Sequence, residues 1–133
     1  MTSISVLVVE DDAMIGLLLA EMLEEMGFAV CAVVATEDDA VAEAARCEPG
    51  LMIVDEHLRD GDGPSAVERI LRVRPVPCVF ISGEPSYFSK PKPNELQKPF
   101  LEQDLVRAIR SVLPGSVAPA LLASGPPHIV PIH

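Results

Sequence analysis

Residues 51–63 read Leu51-Met52-Ile53-Val54-Asp55-Glu56-His57-Leu58-Arg59-Asp60-Gly61-Asp62-Gly63. Four apolar residues end abruptly in a carboxylate, and turn formers follow at once. A short unbroken apolar run bounded by turn signals reads as a strand covered on both faces, as in the middle of a parallel sheet. Asp55 then stands at that strand's carboxyl end, where open α/β sheets bind their ligands. Taken alone, Asp55 also reads as an acid that begins a turn. The rest of the chain decides between the two.

Upstream, Ile4 to Val9 is a second apolar, β-branched run, and it too ends in acid, Glu10-Asp11-Asp12. From Ala13 to Met26 the residues Ile15, Leu18, Leu19, Met22, Leu23 and Met26 recur at helical spacing, and Gly27 is a natural stop. Phe28 to Val34 is strand-like. Thr36 with Asp39 three residues on opens a helix running to about Arg46, and Pro49-Gly50 closes that unit. Downstream, Pro64 suits the first turn of a helix from Ser65 to about Val73. Val76 to Ile81 is a further strand ending in Ser82-Gly83, and Leu96-Gln97 leads a short last strand into Lys98-Pro99-Phe100. Leu101, Leu105, Ala108, Ile109 and Val112 mark a final amphipathic helix, stopped by Pro114-Gly115. Strand and helix alternate, which predicts a doubly wound α/β domain with a parallel sheet covered on both faces. Right-handed crossovers then bring Glu10, Asp11, Asp55, Ser82 and Lys98 to one edge.

The domain is expected over residues 1–115, with residues 116–133 a Pro-rich apolar tail. The chain's 133 residues are 49% hydrophobic and carry a net charge of −10; mean hydropathy is +0.32. That composition fits a folded chain and disfavours nucleic-acid or anionic-membrane binding, which need a basic surface. No apolar run approaches the roughly 18 residues of a bilayer span. The start Met1-Thr2-Ser3-Ile4 has no basic n-region, so no secretory leader is expected. Cys31, Cys47 and Cys78 are odd in number and widely spaced, and are expected as reduced thiols of a cytoplasmic protein.

Three carboxylates meeting at one sheet edge repel one another and call for a hard cation, and Mg²⁺ with oxygen ligands fits. Such an ion can bridge a carboxylate and a phosphoryl group, and an Asp can itself be the nucleophile that forms an acyl phosphate. On this reading Asp55 attacks, Glu10 and Asp11 hold the metal directly or through water, Lys98 pairs with phosphoryl oxygens and Ser82 donates its hydroxyl to the product.

Four pieces of the chain, Val8-Val9-Glu10-Asp11-Asp12, Val54-Asp55 with Asp62-Gly63, Phe80-Ile81-Ser82-Gly83 and Lys98-Pro99-Phe100, closely resemble the receiver domain of two-component response regulators. The resemblance covers about residues 4–113. It implies a flavodoxin-like, five-stranded parallel sheet and a phosphorelay role as a phosphoprotein that is not an enzyme beyond its own phosphorylation and dephosphorylation. Asp55 would accept a phosphoryl group from a histidine kinase or histidine phosphotransfer protein. Asp11 and Asp55 would bind Mg²⁺, with the His57 backbone carbonyl as a further ligand and Glu10 assisting. Ser82 and Lys98 would sense the acyl phosphate and alter a surface read by a downstream protein target or a second copy of the chain.

The chain also departs from that pattern. Ser82 and Lys98 lie only sixteen positions apart, so the fourth helix is expected to be shortened or missing. The switch aromatic expected three positions before the lysine falls on Glu95, leaving Tyr87 and Phe88 as candidates for that role or for simple core cover. Glu84, two positions after Ser82, is expected to tune the lifetime of the acyl phosphate. With no residues left to build a DNA-binding output domain, a single-domain, stand-alone receiver is expected. The competing readings are a Mg²⁺-dependent phosphatase with an aspartyl-phosphate intermediate and a receiver-like scaffold that is never phosphorylated. The phosphatase reading lacks the alternating aspartates such hydrolases place on one strand. A nucleotide-binding fold is disfavoured because no Gly-rich loop follows the first strand.

Overall fold

The run at 51–55 is a strand, β3 (Leu51–Asp55), with all five residues buried. The structure, a computed structural model, describes residues 3–83 and 92–115. In chain order β3 follows β1 (Ser5–Val9), α1 (Ala13–Glu25), β2 (Ala29–Val34) and α2 (Glu37–Cys47). It precedes α3 (Gly63–Leu71), β4 (Cys78–Ser82), β5 (Glu95–Gln97) and α4 (Glu102–Val112). The strands form one parallel sheet in the order β2-β1-β3-β4-β5.

The central strands do not alternate apolar and polar residues because both their faces are covered. Val6 and Val8 of β1 and Leu51 and Ile53 of β3 pack in one core with Leu19, Met22 and Leu23 of α1 and Leu105, Ala108 and Ile109 of α4. Their neighbours Leu7, Val9, Met52 and Val54 pack in a second core with Ala40 and Ala44 of α2 and Ala66, Val67 and Ile70 of α3. Period two along a strand sends successive side chains to opposite faces, so each strand serves both cores. Each such Val, Leu or Ile contributes about 1.5–3 kcal/mol by leaving water.

The caps follow the chemistry of the sequence. Thr36 accepts from the Asp39 amide at 3.1 Å at the start of α2, and Asp62 accepts from the Ser65 amide at 2.7 Å at the start of α3. Because Asp62 is the cap, α3 begins at Gly63, ahead of the predicted Ser65, with Pro64 in its first turn.

The cysteines differ from expectation. Cys31 and Cys47, expected as reduced thiols, are joined in a disulfide with Cα atoms 6.4 Å apart, because α2 packs its last residue against β2; Cys78 is free and buried. Among the described residues no helix lies between β4 and β5, and none is long and apolar enough to cross a membrane. Glu84, Tyr87, Phe88 and the tail lie outside the described residues.

Candidate functional site

The strand order reverses between β1 and β3, since β1 leads outward to β2 and β3 leads the other way to β4. At such a reversal the crossovers part and leave a crevice outside the carboxyl ends. Val9 and Val54 are paired in register, so the residues that follow them, Glu10 and Asp55, come level at its lip. Strand alternation puts Glu10 on the face of Val8 and Asp55 on the face of Ile53, which is the face covered by α1 and α4. Both acids are buried, at 2% and 4% exposure.

Lys98 follows β5 directly. Its amide donates to the Ser82 carbonyl at 2.9 Å, and its side chain reaches across the end of β4. There Nζ donates to Glu10 Oε1 at 3.1 Å and to Asp55 Oδ2 at 2.7 Å. The other Asp55 oxygen, Oδ1, accepts from the His57 amide at 3.0 Å. Asp11 is partly buried, and one oxygen from each of Glu10, Asp11 and Asp55 lies within 4.8 Å of the others. Capping of α1 falls to Asp12, whose side chain accepts from the Met14 and Ile15 amides at 3.0 and 3.1 Å, while Glu10 Oε1 accepts from the Asp12 amide itself at 3.3 Å. Ser82, paired in register with Gln97, ends the adjoining strand.

The structure therefore brings Glu10, Asp11, Asp55 and Lys98 together as predicted, with the His57 backbone and the end of β4 alongside. The His57 side chain points to solvent as an exposed residue. Sequence reasoning missed two contributors. Gly63 lies so close to the Asp55 carbonyl oxygen that a Cβ there would overlap it, and Glu37 of α2 reaches over the loop after β3. The pair Asp62-Gly63 was visible in the sequence, but nothing local to Glu37 distinguishes it from the acids beside it.

Burial first, and then the hydrogen bond with Asp55, push the Glu10 carboxyl up to about 8 against the opposing pull of Lys98. Burial works the same way on Asp55, yet its hydrogen bonds with Glu10, Lys98 and the His57 amide outweigh it and hold Asp55 below the usual carboxylate value. For Lys98 burial favours the neutral amine, and the bonds to Asp55 and Glu10 overcome it, so its pKa is raised. Glu10 Oε2 is buried and finds no hydrogen-bond donor among the described residues. An acceptor left in that state is costly in a protein interior. With all groups ionised, three carboxylates against one ammonium leave the charge that a divalent cation would match, and the donors are all hard oxygens. The acidic cluster fits a bound metal ion.

A doubly wound sheet with a lysine-bridged acidic cluster at its switch point defines a class of α/β signalling domain. The model of the response regulator receiver domain matches residues 6–110, and the chain belongs to that family, the receivers of two-component signalling. Phyllosphere-induced regulator PhyR of Methylorubrum extorquens is 33% identical over 114 residues, which is 81% of this chain and 43% of PhyR. The chain thus spans less than half of that relative's length. The solution structure of the PhyR response regulator REC domain of Erythrobacter litoralis superposes with a TM-score of 0.75 at 31% identity, covering 85% of this chain and 92% of that one. The anti-anti-sigma factor PhyR of Bartonella quintana gives a TM-score of 0.69 at 28% identity, covering 84% and 47%.

Proposed function

We propose that this chain is a phosphoacceptor receiver, residues 1–115 followed by the tail at 116–133, that takes a phosphoryl group onto Asp55 from a histidine kinase or histidine phosphotransfer protein. The observation that carries this reading is the Lys98 ammonium, held at once by Glu10 and Asp55 beside a third acid. An Asp55 oxygen attacks the phosphorus of a phosphohistidine; the P–N bond breaks, a P–O bond forms and the imidazole leaves with a proton. Lys98 then transfers its hydrogen bond from Asp55 to a phosphoryl oxygen, and Ser82 at the end of β4 donates its hydroxyl to the same group. Mg²⁺, held by Asp11, Asp55 and the His57 carbonyl with Glu10 assisting, supplies charge neutralisation at the phosphoryl oxygens when bound.

The added charge beside β4 and β5 changes the surface they present to a downstream protein. Glu84 sets how long the acyl phosphate lasts, and Tyr87 or Phe88 serves as the moving aromatic. The kinship with PhyR, an anti-anti-sigma factor in Bartonella quintana, makes an anti-sigma factor the first candidate for that target. The chain acts as a switch with no turnover of other substrates, in the cytoplasm with its phosphodonor.

Incubating the protein with Mg²⁺ and phosphoramidate is expected to add a single base-labile phosphate, and Asp55→Asn is expected to add none. Continuous hydrolysis of p-nitrophenyl phosphate would instead favour the phosphatase reading. Phosphate uptake by Asp55→Asn equal to that of the parent would remove Asp55 from its role.

A pH dependence follows from Glu10. Its folded pKa of about 8 stands above the ordinary 4.5, so in the metal-free protein its stabilising contribution is full below 4.5 and is lost as pH rises through about 8. Asp55 acts in the opposite sense, contributing above its unfolded value and fading as pH falls through its lowered folded one. Cation binding asks for the Glu10 proton to leave, so Mg²⁺ affinity is expected to climb from pH 6.5 to 8 with proton release. Calorimetric titration in two buffers of different ionisation enthalpy measures this directly. Equal heats in both buffers at pH 7 would count against it.

A further inference from the structure

We infer that Glu37 is a positioning residue for Asp55, acting through the loop that joins β3 to α3; the inference rests on the reading of Asp55 as phosphoacceptor. Glu37 is the first residue of α2, on a different element from Asp55, and three consecutive acids, Glu37, Asp38 and Asp39, occupy that first turn. Any of the three suits the positive end of a helix. Glu37 does something else. Its side chain is 18% exposed, whereas that of Asp38 is 88% exposed, because it folds over the loop. Oε1 accepts from the Asp62 amide at 3.1 Å, a contact Asp38 does not make, and Oε2 accepts from the Arg69 guanidinium at 3.0 Å, which Asp38 Oδ1 shares at 2.9 Å. Arg69 lies on α3, so the carboxylate ties the loop and the helix it feeds to α2.

The backbone repeats the tie. The Glu37 amide donates to the Asp60 carbonyl at 3.1 Å, and Thr36 and Asp60 form a parallel bridge. Gly61 has φ +82, and a Cβ there would lie 2.5 Å from Glu37 Cβ, so the side chain rests directly on the turn. From Asp62 the chain of contacts runs inward. Asp62 forms an antiparallel bridge with His57, and the His57 amide holds Asp55 Oδ1 at 3.0 Å. On the far side of the turn the Gly63 amide donates to the Glu56 carbonyl at 3.1 Å. A carboxylate at position 37 therefore fixes the loop whose amide orients one Asp55 oxygen, while Lys98 orients the other.

The test compares Glu37→Ala with Glu37→Gln in the full chain. Glutamine keeps a carbonyl oxygen for the Asp62 amide and gives up the charge and the hydrogen bond opposite Arg69, whose guanidinium still has Asp38. Two readouts are taken: the rate of phosphorylation by phosphoramidate with Mg²⁺, and amide hydrogen exchange without donor or metal. With the Asp62 amide left without its acceptor, Glu37→Ala is expected to phosphorylate about tenfold more slowly and to exchange the His57 and Asp62 amides about tenfold faster. Amides of β1 should keep the parent's exchange rate, and Glu37→Gln should stay within about twofold of the parent on both readouts. Parental rates and exchange in Glu37→Ala overturn the inference, as does an equal loss in both variants accompanied by faster exchange in β1, which marks general destabilisation. A parent protein that takes up no phosphate brings down the phosphoacceptor reading, while the exchange arm still decides whether Glu37 braces the loop.

Discussion

Gly63→Ala is expected to destabilise the domain by about 3 kcal/mol or more, the upper end of what an overpacked interior position costs. A Cβ at this position would overlap the carbonyl oxygen of Asp55 and come within 2.9 Å of Val54 Cγ1. Neither neighbour yields easily. The carbonyl belongs to the end of the central strand, and Val54 is fully buried in the core under α2 and α3. Gly63 also opens α3 straight after its cap, Asp62, so backing the helix away would pull on the loop that carries His57. Urea unfolding of parent and variant measures the effect. Gly83→Ala supplies the control, since among the described residues a Cβ there meets nothing within 4 Å, and a change within about 0.5 kcal/mol is expected of it. Equal midpoints for parent and Gly63→Ala would show that the strand end and the helix start can separate without loss.

Lys98→Met is expected to cost about 2 kcal/mol, less than the 3–5 kcal/mol typical of breaking a fully buried pair, because the lysine side chain is 24% exposed. The loss should depend on pH. Lys98 lowers the Glu10 pKa, so without it Glu10 holds its proton to still higher pH, and a neutral Glu10 beside a charged Asp55 is tolerable. Above pH 8 the parent's Glu10 ionises against its ammonium, whereas the variant must keep the Glu10 proton against the rising pH or leave two buried carboxylates unpaired, so the variant should melt progressively lower than the parent. Mg²⁺ should return more stability to the variant than to the parent, since a ligand that binds the folded form stabilises it by mass action. Melting curves at pH 6 and pH 9, with and without Mg²⁺, separate these effects. Identical melting of the two proteins at pH 9 without metal would show that Lys98 does not balance the acids.

How much of this was legible beforehand follows from where each signal resides. The runs at 5–9 and 51–55 were readable as strands because burial on both faces leaves no polar alternation. Thr36 and Pro64 marked helix starts through local chemistry that acts within one turn. The element edges were less readable. α3 ends at Leu71 instead of Val73, and β4 starts at Cys78 instead of Val76, because the boundary depends on which neighbour completes the hydrogen bonds. Glu10, Asp11, Asp55 and Lys98 could be named since each ends or follows a strand, and parallel strands with right-handed crossovers end on the same edge.

Other features have no local signal. Nothing near Cys31 or Cys47 in sequence announces that α2 sets one against the other. Glu37 looks like Asp38 and Asp39 until the loop after β3 arrives beside it.

The order of residues by itself determined the alternation of strand and helix, the two-sided burial of the middle strands and the inventory of reactive groups, because these rest on periodicity and on bonds a few residues long. Tertiary structure decided which strands are neighbours, that Glu10 and Asp55 share one ammonium, and that Glu37 and Gly63 hold the Asp55 loop in place. Those outcomes depend on distances between segments tens of residues apart, which are set only when both cores pack together.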